Sequence, residues 1–212
     1  MGQALQLAAK ARYTSAPNPA VGCVVVANDR VIGQGFTRPA GGNHAEVEAL
    51  QMAGEAAGST LYVTLEPCSH QGKTGPCVQA IIKANVARVV VACEDPNPKV
   101  SGSGIQQLKD AGIEVQVGLM EAQAIALNKG FFKRFTEGTP WVLVKMAASL
   151  DGRTAMASGQ SQWITSPAAR LDVQRLRAAS CAIVTGIGTQ EMDNPSLTLR
   201  ITEEQLLSLI HI

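Results

Sequence analysis

Four residues carry the chemistry legible in this chain: His44, Glu46, Cys68 and Cys77. They stand as His44-Ala45-Glu46, Pro67-Cys68 and Pro76-Cys77. One imidazole and two thiolates make three zinc ligands, and catalytic zinc takes three protein ligands with a fourth position open. Bound zinc lowers the pKa of water toward neutrality. Glu46 is then placed to carry a proton between that water and a substrate. The spacing sets a condition. Residues i and i+2 of a regular helix lie on nearly opposite faces. His44 and Glu46 can therefore share a site only at a helix edge, and Gly41-Gly42 permits the bend. Pro76 puts Cys77 in a first helical turn, where unpaired N–H groups favour a thiolate. A structural zinc closes with four ligands, and the nearest fourth candidate is His70. Cys23, Cys93 and Cys181 lie in or beside apolar runs and read as core.

H-x-E followed by P-C-x-x-C marks zinc-dependent base deaminases. Here eight residues separate the two cysteines, a departure that leaves the ligand chemistry intact. Two other readings compete at this point. One is a tRNA or nucleobase deaminase with the same zinc site, and the other is a zinc-stabilised binding module without catalysis.

These residues need a frame. Residues 2–13 read as an amphipathic helix, stopped by Pro17-Asn18-Pro19. Strands are expected over 21–27 and 31–36 with a turn at Asn28-Asp29. A helix over 44–57, a strand over 60–65, a polar loop over 66–76 and a helix to about 85 follow. Then come a strand over 88–92, a loop over 95–104, a helix over 105–111, a strand over 113–117 and a helix over 119–135. Alternating strands and short helices predict a sheet with helices on its faces. Thr136–Pro140 reads as a linker, and the pattern restarts. A strand over 141–147, a helix over 166–179 and a strand over 182–185 are expected. The Gly-rich turn 185–189 lacks the full G-x-G-x-x-G form.

The chain has 212 residues, and Lys+Arg 18 against Asp+Glu 17 leaves a net charge of +1. A polynucleotide binder would be more basic. Aromatic residues are 4% of the chain, too few for many stacking platforms. No apolar run approaches the ~20 residues of a membrane span. Met1–Arg12 has its charges at the wrong end for a secretory signal. With five scattered cysteines, the expectation is a cytoplasmic protein with reduced thiols.

Longer motifs give a resemblance. Pro17-Asn18-Pro19-Ala20-Val21-Gly22, His44-Ala45-Glu46 and Thr64-Leu65-Glu66-Pro67-Cys68-Ser69-His70-Gln71-Gly72-Lys73-Thr74-Gly75-Pro76-Cys77 resemble the bifunctional riboflavin-biosynthesis deaminase/reductase family. Asp95-Pro96-Asn97-Pro98, Asn128-Lys129-Gly130-Phe131, Ala148–Ala155, Ser161–Ser166 and Asp193-Asn194-Pro195 extend the likeness. It implies a cytidine-deaminase-like three-layer α/β/α domain over 1–138. The N-terminal part of a dihydrofolate-reductase-like α/β domain would follow over 139–212. The implied activity is zinc-dependent deamination of a diaminopyrimidinone ribosylamine 5′-phosphate, then NADPH-dependent reduction of the ribosyl group to ribityl. The partner is thus a small phosphorylated pyrimidine, with neither nucleic acid nor membrane, and the family often forms homo-oligomers.

Carried over residue by residue, His44, Cys68 and Cys77 are the zinc ligands and Glu46 the proton donor and acceptor. Asn18, His70 and Lys73 match positions near the pyrimidine or its phosphate. Ala147, Trp163, Thr189 and Asp193 match positions at the nicotinamide cofactor. Ser161, Arg177, Leu197 and Arg200 match substrate positions, where the two arginines suit a phosphate. Residues 201–212 match nothing expected after Arg200. The expectation is a non-native tail, an open half-sheet and no reductase activity.

Overall fold

The computed structural model describes residues 1–71 and 75–202. Lys73 and residues 203–212 lie outside the described residues. The chain divides into a unit of Met1–Trp141 and a unit of Val142–Ile212.

In the first unit, α1 (Gly2–Ala11) precedes β1 (Gly22–Ala27) and β2 (Arg30–Phe36). Asn28 and Asp29 both take positive φ, 49° and 58°, and their turn suits the twist of a tight hairpin. Then come α2 (Ala45–Ala53), β3 (Thr60–Val63), α3 (Cys77–Lys83), β4 (Arg88–Val91), α4 (Ser103–Asp110) and β5 (Glu114–Val117). The sheet order is β2-β1-β3-β4-β5. β1 is antiparallel to β2 and β3, while β3, β4 and β5 run parallel.

Strand periodicity builds the three layers. Val24 joins Ala4 and Leu7 of α1 in a small cluster on one face. Cys23 and Val25 point the other way, into the main core with Leu61, Val63, Val89, Val91, Val78 and Ile81. α2 lies against β2 so closely that a Cβ on Gly35 would stand 2.4 Å from the Ala45 carbonyl oxygen. That contact seats the start of α2 on the sheet.

The expected single helix over 119–135 is two: α5 (Glu121–Leu127) and α6 (Lys129–Glu137). They break at Asn128, whose φ is −120° and ψ 32°. Its side chain bonds to the backbone of Ala20 rather than facing solvent, and the chain turns to allow it.

The second unit holds α7 (Pro167–Ala178) and α8 (Ile187–Asp193). Ser166 caps α7 by accepting from Ala169 N–H at 3.2 Å. The strands expected over 141–147 and 182–185 are not formed among the described residues. A strand exists only with a hydrogen-bonded neighbour, and these segments pair with nothing described. Val142, Val144 and Val184 are accordingly exposed. The segment expected as a Gly-rich turn instead opens α8 at Ile187.

Candidate metal centre

The site begins at the edge of α2. His44 is its N-cap residue, with extended backbone (φ −76°, ψ 163°), and helical backbone starts at Ala45. The change of conformation between them lets His44 and Glu46 reach one place. Gly41, with φ +98°, makes the preceding bend. The loop after β3 supplies Cys68, and the first residue of α3 supplies Cys77. Cys68 holds the start of that helix. Its sulfur accepts from Cys77 N–H at 3.3 Å, and its carbonyl accepts from Val78 N–H at 3.2 Å.

The three donors converge. His44 Nδ1 lies 3.6 Å from Cys68 Sγ and 3.2 Å from Cys77 Sγ. All three ligand atoms lie within 4.8 Å of one another. Tetrahedral zinc with bonds of about 2.0–2.3 Å needs ligand atoms roughly 3.5 Å apart, so the set fits. Among the described residues it is the one such His, Cys or carboxylate group of three.

Electrostatics follow from burial. Glu46 is 4% exposed, and burial, aided by the negative Cys68, lifts its carboxyl to about 7. The Cys68 thiol is pulled down to about 4, first by its hydrogen bond with Cys77 and then by His44. The same shared bond and burial push the Cys77 thiol up. The Cys68 bond raises His44.

His44, Glu46 and Cys68 open into a cavity of about 440 Å³. Asn18 and His70 line it too, as do Asp95, Asn97 and Phe131, so five motifs of the sequence likeness meet here. Three further groups carried no role in the sequence reading. Glu66, though inside the quoted motif, is 3% exposed and accepts four backbone N–H groups. Asp95 and Gly102 donate to its Oε2 at 3.2 and 3.0 Å, and Gly104 and Ile105 to its Oε1 at 2.9 and 3.2 Å. Asp95 lines the cavity, and burial lifts its carboxyl to about 6. Arg134, with Phe131 and Phe135, forms another wall. Only its place on an amphipathic helix could have flagged it.

The second unit gathers its expected residues in separate groups. Ser161 and Trp163 line a cavity of about 760 Å³, and the Arg170 guanidinium lies 4.3 Å from the Trp163 ring centre. Arg177 and Arg200 both donate to the Ser196 carbonyl, at 3.3 and 3.0 Å, beside half-buried Leu197. Thr189 and Asp193 are exposed one turn apart on α8, and Ala147 lies in the irregular 141–149 stretch. Among the described residues no hydrogen bond or ion pair joins these groups.

A His-Cys-Cys set with a buried glutamate two residues past the histidine, on a five-stranded sheet, defines the zinc-binding fold of the cytidine deaminases. Residues 1–93 match the family model for the cytidine and deoxycytidylate deaminase zinc-binding region. Residues 140–207 match the RibD C-terminal domain, past Arg200. The riboflavin biosynthesis protein RibD of Escherichia coli (strain K12) is 57% identical over 96% of this chain and 56% of its own length. The structure of Acinetobacter baumannii RibD, form 2, matches with TM-score 0.90 at 55% identity, over 95% of this chain and 56% of that one. A diaminohydroxyphosphoribosylaminopyrimidine deaminase/5-amino-6-(5-phosphoribosylamino)uracil reductase from Thermotoga maritima matches with TM-score 0.91 at 42% identity, over 96% and 59%. The chain is similar to RibD proteins along nearly its whole length, and it spans about half the length of the curated relatives it matches. That likeness implies zinc at the first unit and NADPH at the second. No helix among the described residues is long and apolar enough to cross a membrane.

Proposed function

We propose that residues 1–138 are a zinc-dependent hydrolase acting on 2,5-diamino-6-(ribosylamino)pyrimidin-4-one 5′-phosphate. The product is 5-amino-6-(ribosylamino)uracil 5′-phosphate, and ammonia leaves. Residues 139–212 are the N-terminal part of an NADPH-dependent reductase that would convert the ribosyl group to ribityl. The observation that carries the reading is the convergence of His44, Cys68 and Cys77 beside buried Glu46, with His44, Cys68 and Glu46 lining one cavity. A buried carboxyl raised toward neutrality beside the three donors suits proton transfer.

His44, Cys68 and Cys77 hold the metal. Bound zinc supplies Lewis acidity that makes water nucleophilic near neutral pH. Glu46 takes a proton from the attacking water as its oxygen bonds to C2 of the ring. Glu46 passes that proton to the ring nitrogen, then takes the remaining proton of the added hydroxyl and gives it to the departing amine as the C2–N bond breaks and a C2 carbonyl forms, releasing ammonia. Burial keeps the proton on Glu46 between these transfers instead of losing it to solvent. Asn18 is assigned to a ring edge through its amide, and His70 and Lys73 are assigned to the anionic side of the substrate by their residue type.

In the reductase part, Ser161, Arg177, Leu197 and Arg200 are assigned to substrate, and Ala147, Trp163, Thr189 and Asp193 to the nicotinamide cofactor. The partner is a small phosphorylated pyrimidine, neither nucleic acid nor membrane, and the chain assembles with copies of itself. A net charge of +1 supports a small anion over a polyanion. Five free cysteines agree with a cytoplasmic setting.

The test is zinc content measured together with ammonia release from the pyrimidine ribosylamine phosphate, from free cytosine and from tRNA. One zinc per chain and release from the first compound alone are expected. Release only from cytosine or tRNA would overturn the substrate, and zinc without any release would overturn the enzyme.

A further inference from the structure

α6 forms a wall of the metal-site cavity, and its place is fixed by a contact far along the chain. Asn128 Oδ1 accepts from Ala20 N–H at 2.8 Å, and its Nδ2 donates to the Ala20 carbonyl at 2.9 Å. Both bonds are buried, so both are costly to break. Ala20 directly follows Pro17-Asn18-Pro19, which lines the same cavity. One side chain thus couples the Asn18 loop to α6.

Phe131 and Phe135 are four residues apart on that helix and face the cavity together. Their rings meet edge to face with centres 5.0 Å apart. Arg134 stands beside them, its guanidinium 5.7 Å from the centre of the Phe135 ring. Among the described residues lining this cavity, Arg134 is the one Lys or Arg, and no carboxylate pairs with it there. The carboxylates lining the cavity are Glu46, Glu66 and Asp95, on other elements. A guanidinium braced on the Phe135 ring, with no described carboxylate pairing with it in the cavity, is suited to grip a phosphate by its planar fork.

We propose that Arg134 is the phosphate-binding residue on the α6 wall, selecting the 5′-phosphorylated substrate over the bare nucleoside, with Asn128 as the positioning residue that sets its reach. This rests on the deaminase reading above. Arg134 contributes to binding and leaves the proton transfers to Glu46.

The experiment compares the zinc-loaded full chain with R134Q and R134K. Ammonia release is followed from the 5′-phosphorylated substrate and from its dephosphorylated nucleoside, and zinc content and Tm are recorded for each protein. Wild type should prefer the phosphorylated compound, through KM. R134Q should lose ten- to a hundredfold of that preference, and R134K should recover part of it. Inorganic phosphate should compete with substrate in wild type and much less in R134Q. An unchanged preference and unchanged phosphate competition in folded R134Q would overturn the proposal and leave the deaminase reading standing. Wild type that turns over neither compound would overturn the deaminase reading, and this assignment with it.

Discussion

Gly104 and Glu66 lock the metal-ligand loop to the first turn of α4. Gly104 N–H donates to Glu66 Oε1 at 2.9 Å. A Cβ on Gly104 would stand 2.1 Å from the Pro67 carbonyl oxygen, one residue before Cys68. A methyl group there must displace backbone. Gly104→Ala is expected to cost about 1–3 kcal/mol in urea unfolding, as overpacked sites do. Glu66→Gln keeps the shape but turns an amide N–H₂ toward backbone donors. Its expected cost is about 3 kcal/mol, because hydrogen bonds to a charged group are lost. Both variants should release zinc to a chelator faster than wild type.

Glu46 and Cys77 separate metal binding from proton transfer. Glu46→Gln should retain one zinc per chain while ammonia release falls about 10²–10⁴-fold, the range for a positioned acid–base group. Cys77→Ala should lose the metal, because two remaining ligands cannot hold zinc in a three-ligand site. Metal analysis and an ammonia assay on the same preparations check both. Zinc lost from Glu46→Gln would show that the carboxyl is a ligand.

Asp95 makes stability depend on pH. Burial, with Glu66 nearby, holds its carboxyl at about 6, above its ordinary value of 3.8, although Asn97 N–H opposes the shift. A carboxyl raised on folding stabilises most below its unfolded pKa, and the benefit is lost as pH rises through about 6. Asp95→Asn keeps an acceptor for Asn97 N–H and removes the titration. The variant should gain about 2 kcal/mol on wild type between pH 4 and pH 7.5. Denaturant midpoints at the two pH values measure it, and parallel curves would contradict the assignment.

The two units can be tested apart. A fragment of residues 1–138 contains the His-Cys-Cys set, Glu46, Arg134 and the main core. It should bind zinc and release ammonia at a rate within a few-fold of the full chain. An inactive but folded fragment would show that the deaminase needs residues beyond 138.

Much of the first unit was legible because its signals are local. Val21–Ala27 and Thr60–Leu65 are β-branched runs, and Asn28-Asp29 is turn chemistry. The zinc ligands stood out because few other uses exist for that residue set at that spacing. Glu66, Asp95 and Arg134 were harder. Their roles come from what folds against them, such as the N–H groups of residues 102–105, and no periodicity encodes that. The broken helix at Asn128 was missed for the same reason, since its partner Ala20 lies at the other end of the unit. In the second unit Val142–Met146 and Ala182–Thr185 carry strand-forming residues without a described neighbour, and propensity alone does not make a ladder.

The bonds between Asn128 and Ala20 span 108 residues of chain. During synthesis the Asn18 loop leaves the ribosome long before the residue that fixes it. β1 to β4 can pair and the zinc ligands can meet while the substrate wall is still missing. The cavity is thus finished by one of the most distant contacts in the unit, and such closures form slowly. A nascent chain halted before α6 would hold metal before it could hold substrate.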